Sequence, residues 1–222
     1  MNNLHIQTMT TIKIVSNLKL HPQKGLLSKD STGKWIDVHH QQGDLDGACA
    51  VYSVIMNLLI LGMIDKEEIC VYSSIDKRKR KGKLLSYLLE KQGLVRDGYH
   101  FRTLAADIRN YANFTANQKL AKSREDAINI IQTHIDNDSP IIISVVGEIC
   151  GEEWAHALLA IGIEYSENDV PTKILCLDPG APSPICTYWN CIIDVSTKTL
   201  WYKTEKSQTK AELGDMLVIS QE

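Results

Sequence analysis

Residues 40–64 read HQQGDLDGACAVYSVIMNLLILGMI, and the second half of that stretch decides the fold. From Cys49 to Ile64 apolar residues fill most positions, Val51, Val54, Ile55, Leu58 and Leu59 among them, interrupted by Ser53, Asn57 and Gly62. A helix that is hydrophobic nearly all round is a buried helix on which the rest of a domain packs. Asp46 stands before it as an N-cap and Gly62 near its end as a stop. The interruptions keep it short of the ~18 consecutive apolar residues of a membrane span.

Toward the C-terminus the texture changes after Pro140. IIISVVG, AHALLAIGIEY, KILCLDPG, NCIIDVS, LWYKT and MLVIS are short apolar or β-branched runs parted by Gly, Asn, Ser and Pro. They read as five or six strands, close in sequence and therefore antiparallel. Between the central helix and these strands lie three helical patterns. GKLLSYLLEKQGLV carries Leu84, Leu85, Leu88 and Leu89 and ends near Gly93. FRTLAADIRNYA spaces Leu104, Ile108 and Tyr111 by four and three, and SREDAINIIQTHI opens on Ser123 with an acidic first turn. Before the central helix, Thr11–Val15 reads as a strand and HPQKGLLSKDSTGKW as loop. Helices followed by a sheet give an α+β fold: a helical half with a buried central helix packed on a C-terminal antiparallel sheet or partial barrel.

Composition sets outer bounds. The chain has 222 residues, 44% hydrophobic and 23% charged, enough to bury a core. Lys and Arg number 24 against 27 Asp and Glu, a net charge of −3 that argues against a dedicated nucleic-acid binder. The N-terminal text lacks the basic and then apolar regions of a signal peptide, so the expected compartment is the cytoplasm, or the outside by a route without a cleaved signal. Six cysteines, at 49, 70, 150, 176, 186 and 191, form no CxxC pair, and Cys70, Cys176 and Cys191 sit among apolar residues as packed thiols.

One cysteine is placed differently. Cys49 falls in the first turn of the buried helix, after two glycines and two aspartates that turn the chain sharply. The partial positive charge and free N–H groups of a helix start favour thiolate over thiol, and the thiolate is the nucleophile. The same N–H groups suit an oxyanion, and the Gln42 side chain offers a second donor. A base is then needed. Of seven histidines, His156 alone interrupts an apolar strand, Trp154–Gly162, where rigid backbone holds the imidazole. The next strand ends in Asp178–Pro179–Gly180. If the two strands pair across SENDVPT, Asp178 returns beside His156 and can orient it.

Gln42, Cys49 opening a buried helix, then His156 and Asp178 on successive late strands resemble the papain-like cysteine peptidases. Within them, HALLAIGIE and ILCLDPG are similar to the His strand and Asp turn of the C39-type bacterial peptidases. The resemblance spans roughly residues 41–219 and implies Cys49 as nucleophile, His156 as general base, Asp178 as orienting residue and Gln42 as oxyanion donor. The Gln42–Cys49 spacing is one residue longer than the family's, Gln41 is the alternative donor, and Ala50 replaces the family's glycine after the nucleophile. Asn190 follows Trp189 in reversed order, so Asp178 keeps the orienting role. The implied layout is an N-terminal arm, residues 1–40, and a papain-like domain, residues 41–222. The implied chemistry is hydrolysis of an amide bond in a peptide or protein through a thioester, with no metal or organic cofactor, in a bacterial effector or toxin by fold-level analogy.

Other readings compete. The same triad serves deamidation or acyl transfer, and a degenerate papain-like fold serves as a binding module. A third makes Cys186, Cys191 and His156 a zinc site. The basic run DKRKRKGK, residues 76–83, reads as a solvated interhelix loop and otherwise as a patch for an acidic partner. Tyr188, Trp189, Trp201 and Tyr202 read as sheet packing, Trp154 as a wall of the cleft, and Glu152 and Glu153 as solvated loop.

Overall fold

A computed structural model describes residues 10–43, 47–69, 76–92, 98–112, 114–149 and 151–221. The central helix, α1, runs Cys49–Ile60 and buries every residue from Ala50 to Ile60 except the half-buried Tyr52. Each fully buried Leu, such as Leu58 or Leu59, contributes ~1.5–3 kcal/mol relative to exposure. The helix stops at Gly62, whose φ is +64°. There the N–H of Gly62 bonds to the Leu59 carbonyl (3.1 Å) and that of Met63 to the Leu58 carbonyl (2.9 Å), the paired bonds that close a helix on a left-handed residue. At the other end Ala48 is the N-cap, with no side-chain cap bond. The expected cap Asp46 lies outside the described residues, as do the expected helix stop Gly93 and the thiols Cys70 and Cys150.

All six expected C-terminal strands form: β6 (Ile141–Ile149), β7 (Glu152–Tyr165), β8 (Pro171–Leu177), β9 (Cys191–Asp194), β10 (Leu200–Thr204) and β11 (Gln208–Gln221). They pair antiparallel in the order β7-β6-β11-β10-β9-β8, and β8 returns to β7, so the sheet closes on itself. Two further strands join it: β1 (Thr11–Ile14) on β7, and β5 (Phe114–Lys119) on β11. The sequence gives no sign of β5. FTANQK is polar, and among its residues only Ala116 is fully buried, so the strand exists because β11 presents an open edge. Glu152 and Glu153 are exposed but open β7 opposite Ile149 and Glu148, rather than lying in a loop.

The expected N-terminal loop is instead a three-stranded sheet: β2 (Leu18–His21), β3 (Gly25–Lys29) and β4 (Trp35–Asp37). Its Pro, Gly and Lys punctuation marks the β2–β3 turn, with Gly25 at φ +74°, while Leu26 and Leu27 are buried. Strand β3 of this sheet contacts α1, as β6 and β7 do, and Asn17 Nδ2 bonds to the Ile60 carbonyl at 2.6 Å. Val15, Leu18, Leu26, Ile36 and Val38 belong to the same core as α1.

Helices α2 (Arg80–Ser86), α3 (Phe101–Tyr111) and α4 (Arg124–Asp136) match the three helical patterns, α2 continuing as a π-helical turn over Tyr87–Gln92. Ser123 caps α4, its hydroxyl accepting from the Asp126 N–H at 3.2 Å. The basic run is only partly loop. Arg80 starts α2, Lys81 pairs with Glu68 at 2.7 Å, and Arg78 pairs with Asp76 at 2.9 Å. Among the described residues no helix is long and apolar enough to cross a membrane.

Candidate active site

The helix start and the strand pair meet where the sequence places them. The β7–β8 hairpin turns at residues 166–170 and pairs as far as Leu159 opposite Leu177. Asp178 therefore emerges from β8 beside His156 on β7, and the His156 Nε2–H donates to Asp178 Oδ1 at 2.6 Å. A carboxylate only accepts, so that nitrogen carries the proton and Nδ1 is left as the ring's other polar atom, while the Cys49 sulfur lies near enough for ring and thiol to bias each other's ionisation. The sulfur further accepts the Ala157 N–H at 3.4 Å.

The electrostatics follow from those contacts. Burial opposes the charged forms of Cys49, His156 and Asp178 alike. Mutual pairing outweighs it. The Cys49 thiol is held below its ordinary 9.0 by the His156 hydrogen bond and charge, with the Ala157 and Ala50 N–H groups adding to the effect. His156 is raised from 6.5 to about 10 by Asp178 and Cys49, and Asp178 is held below 3.8 chiefly by His156. The charged forms of Cys49 and His156 therefore favour each other, beside a buried carboxylate.

Asp178 is fixed from several sides. Oδ1 also accepts the Gly180 N–H at 2.7 Å, and Oδ2 accepts the Tyr202 hydroxyl. Its main chain is held by Asn190, whose Oδ1 accepts the Asp178 N–H (2.7 Å) and whose Nδ2 donates to the Asp178 carbonyl (2.9 Å). His39 Nε2 lies 2.9 Å from the same carbonyl. A side chain at 180 would stand 3.2 Å from Asp178 Oδ1 and 3.7 Å from the His156 ring, so glycine lets the turn close over the pair. Tyr202 and His39 carry no sequence signal for this part. Tyr202 looks like any strand aromatic, and only the closure of β10 through β9 onto β8 brings its hydroxyl to Asp178. Asn190 supports the Asp178 turn and does not touch His156 through any described bond.

Gln42 is stitched to the same turn, its N–H bonding to the Pro179 carbonyl at 2.8 Å, and its Oε1 is buried without a partner. Gln41 is exposed, on the rim of a groove that opens against His156 and Asp178 and is walled by Ile185, Trp189 and Lys206. Trp154 packs against Tyr202, with ring centroids 6.0 Å apart. The zinc reading does not assemble: among the described residues no three His, Cys, Asp or Glu side chains gather to hold a metal, and Cys186 is exposed while Cys191 is buried in β9.

Among solved structures the chain is similar to UfSP from C. elegans, with a TM-score of 0.49 and 13% sequence identity. The match covers 96% of this chain and 34% of that one, so the chain spans about a third of the protein it matches. No family model and no curated protein matches the sequence.

Proposed function

We propose that the chain is a papain-like cysteine hydrolase acting on an amide bond of a peptide or protein. The observation that carries this reading is the His156 imidazole, bonded to the buried Asp178 carboxylate, with a sulfur in the first turn of α1 bonded to the N–H of the next strand residue, Ala157. The Cys49 thiolate attacks the substrate carbonyl. The oxyanion is met by the Cys49 N–H, one of the helix-start donors with no intrahelical acceptor, and by the Gln42 amide. His156 gives its proton to the leaving amine, and the acyl group stays on sulfur as a thioester. Water, deprotonated by His156, then releases the acid. An amine in place of that water would make the same site a transferase. The C39-type likeness rests on the His156 strand and the Asp178 turn. The proposed domain of residues 41–222 works with the segment before it, because His39 reaches the Asp178 carbonyl.

The test uses p-nitrophenyl acetate, whose ester is activated enough to acylate a competent thiolate without matching any natural substrate. Acid quenching followed by peptide mass analysis is expected to find acetyl on Cys49 and not on the exposed Cys186, with p-nitrophenolate released in a burst stoichiometric with protein. Cys49→Ala is expected to lose both. Equal acetylation of the two cysteines, or none at Cys49, would overturn the reading.

A further inference from the structure

Ser53 and Asn57 are the polar interruptions of α1, both fully buried, and together with Cys49 they fall at every fourth position of the helix. That spacing sets all three on one face. Each reaches the main chain of the sheet. Cys49 Sγ accepts the Ala157 N–H at 3.4 Å, the Ser53 hydroxyl donates to the Ala157 carbonyl at 3.2 Å, and Asn57 Nδ2 donates to the Pro140 carbonyl at 3.2 Å, just before β6.

The strand leaves these groups open for a reason. The N–H and C=O of one strand residue point to the same side. On the side of β8, pairing with β7 ends at Leu159 opposite Leu177, because the chain then turns at Asp178 to meet His156. Ala157, opposite Ser144 of β6, lies beyond that end, next in sequence to His156, and both its N–H and its carbonyl bond to α1. A buried main-chain group needs a partner. The helix supplies both, the donor going to the sulfur and the acceptor to Ser53. Apolar packing cannot satisfy these groups, since it is non-directional, whereas a directed bond to one carbonyl fixes height and rotation together.

We infer that Ser53 is a positioning residue, which locks the register of α1 on β7 and so holds the Cys49 sulfur against the His156 ring. The inference rests on the proposed thiolate–imidazolium site and adds to it a residue that never touches substrate. Asn57 braces the same face two turns further along, at the expense of leaving its own Oδ1 buried without a partner.

The test is the pH profile of Cys49 alkylation by iodoacetamide, with Cys186 as the internal reference. In Ser53→Ala the acid limb of the Cys49 profile is expected to move up by about one pH unit, slowing alkylation about tenfold on that limb. The control is Val54→Ala, which empties core volume on the same helix but removes no bond to the strand. It is expected to lower the melting temperature at least as much and to leave the limb in place. Asn57→Ala is expected to move the limb the same way by less, and it decides the matter should Ser53→Ala fail to fold. A limb that moves in Ser53→Ala no more than in Val54→Ala overturns the inference. A wild-type Cys49 that titrates like Cys186 overturns the underlying site reading instead, and the two failures are told apart by the wild-type curve alone.

Discussion

In the His156→Ala variant, alkylation of Cys49 by iodoacetamide at about pH 6 is expected to slow by about tenfold or more. Burial alone would push this thiol above 9.0, and the imidazole is the main influence that brings it below. Without the ring, a thiol of ordinary or raised pKa is ionised at about one part in a thousand at that pH. Some of the loss is offset because a more basic thiolate is the stronger nucleophile. The exposed Cys186 reports reagent quality and folding in the same digest. A Cys49 rate that does not change relative to Cys186 would show that the two groups do not share a proton.

Substitutions at Asp178 are expected to rank wild type, then Asn, then Ala, in the rate of the p-nitrophenolate burst. In Asp178→Asn the amide has one oxygen for two sites. The Oδ1 position faces two donors, His156 Nε2–H and Gly180 N–H, while the Oδ2 position faces the Tyr202 hydroxyl, which can turn round and accept. The amide oxygen therefore settles at the His156 side and the imidazole keeps its tautomer. Only the negative charge is lost, for an expected fall of roughly 10²-fold. Asp178→Ala removes the acceptor as well, so the ring loses both tautomer and orientation and the fall is roughly 10³–10⁴-fold. Stopped-flow release of p-nitrophenolate distinguishes these outcomes. Equal rates in Asp178→Asn and Asp178→Ala would mean that the carboxylate acts through charge alone, and wild-type rates in both would remove Asp178 from the site.

The parts of this arrangement differ in how visible they are before folding. Cys49 stands out because a polar stretch meets a largely apolar helix, and His156 because it interrupts an apolar strand. Asp178 follows from the hairpin that brings one strand end back beside the other. These are local signals on elements with strong periodicity, and the helix α1, its stop at Gly62 and the six late strands are legible for the same reason. Tyr202, His39 and the Ala157 main chain act through contacts between elements far apart in sequence, and nothing in their own neighbourhoods announces them. The small N-terminal sheet escapes because the Pro, Gly and Lys residues that make its tight turn resemble loop. The strand β5 escapes because its face is polar and its partner is the final strand of the chain. Ser53 and Asn57 are visible as oddities in a greasy helix, yet their partners are known only once β6 and β7 are placed against them.

The shared proton can be observed directly by nitrogen NMR of histidine-labelled protein, following the His156 ring through an alkaline titration with Cys49→Ala as the comparison. Both ring nitrogens are expected to stay protonated at about pH 8, where a free imidazole is neutral, and to lose a proton only near the raised value of about 10. The transition is expected to fall to lower pH once the sulfur is removed. A His156 ring already neutral at about pH 8 in the wild type, or one whose titration ignores the loss of Cys49, would contradict the ion pair on which the catalytic reading stands.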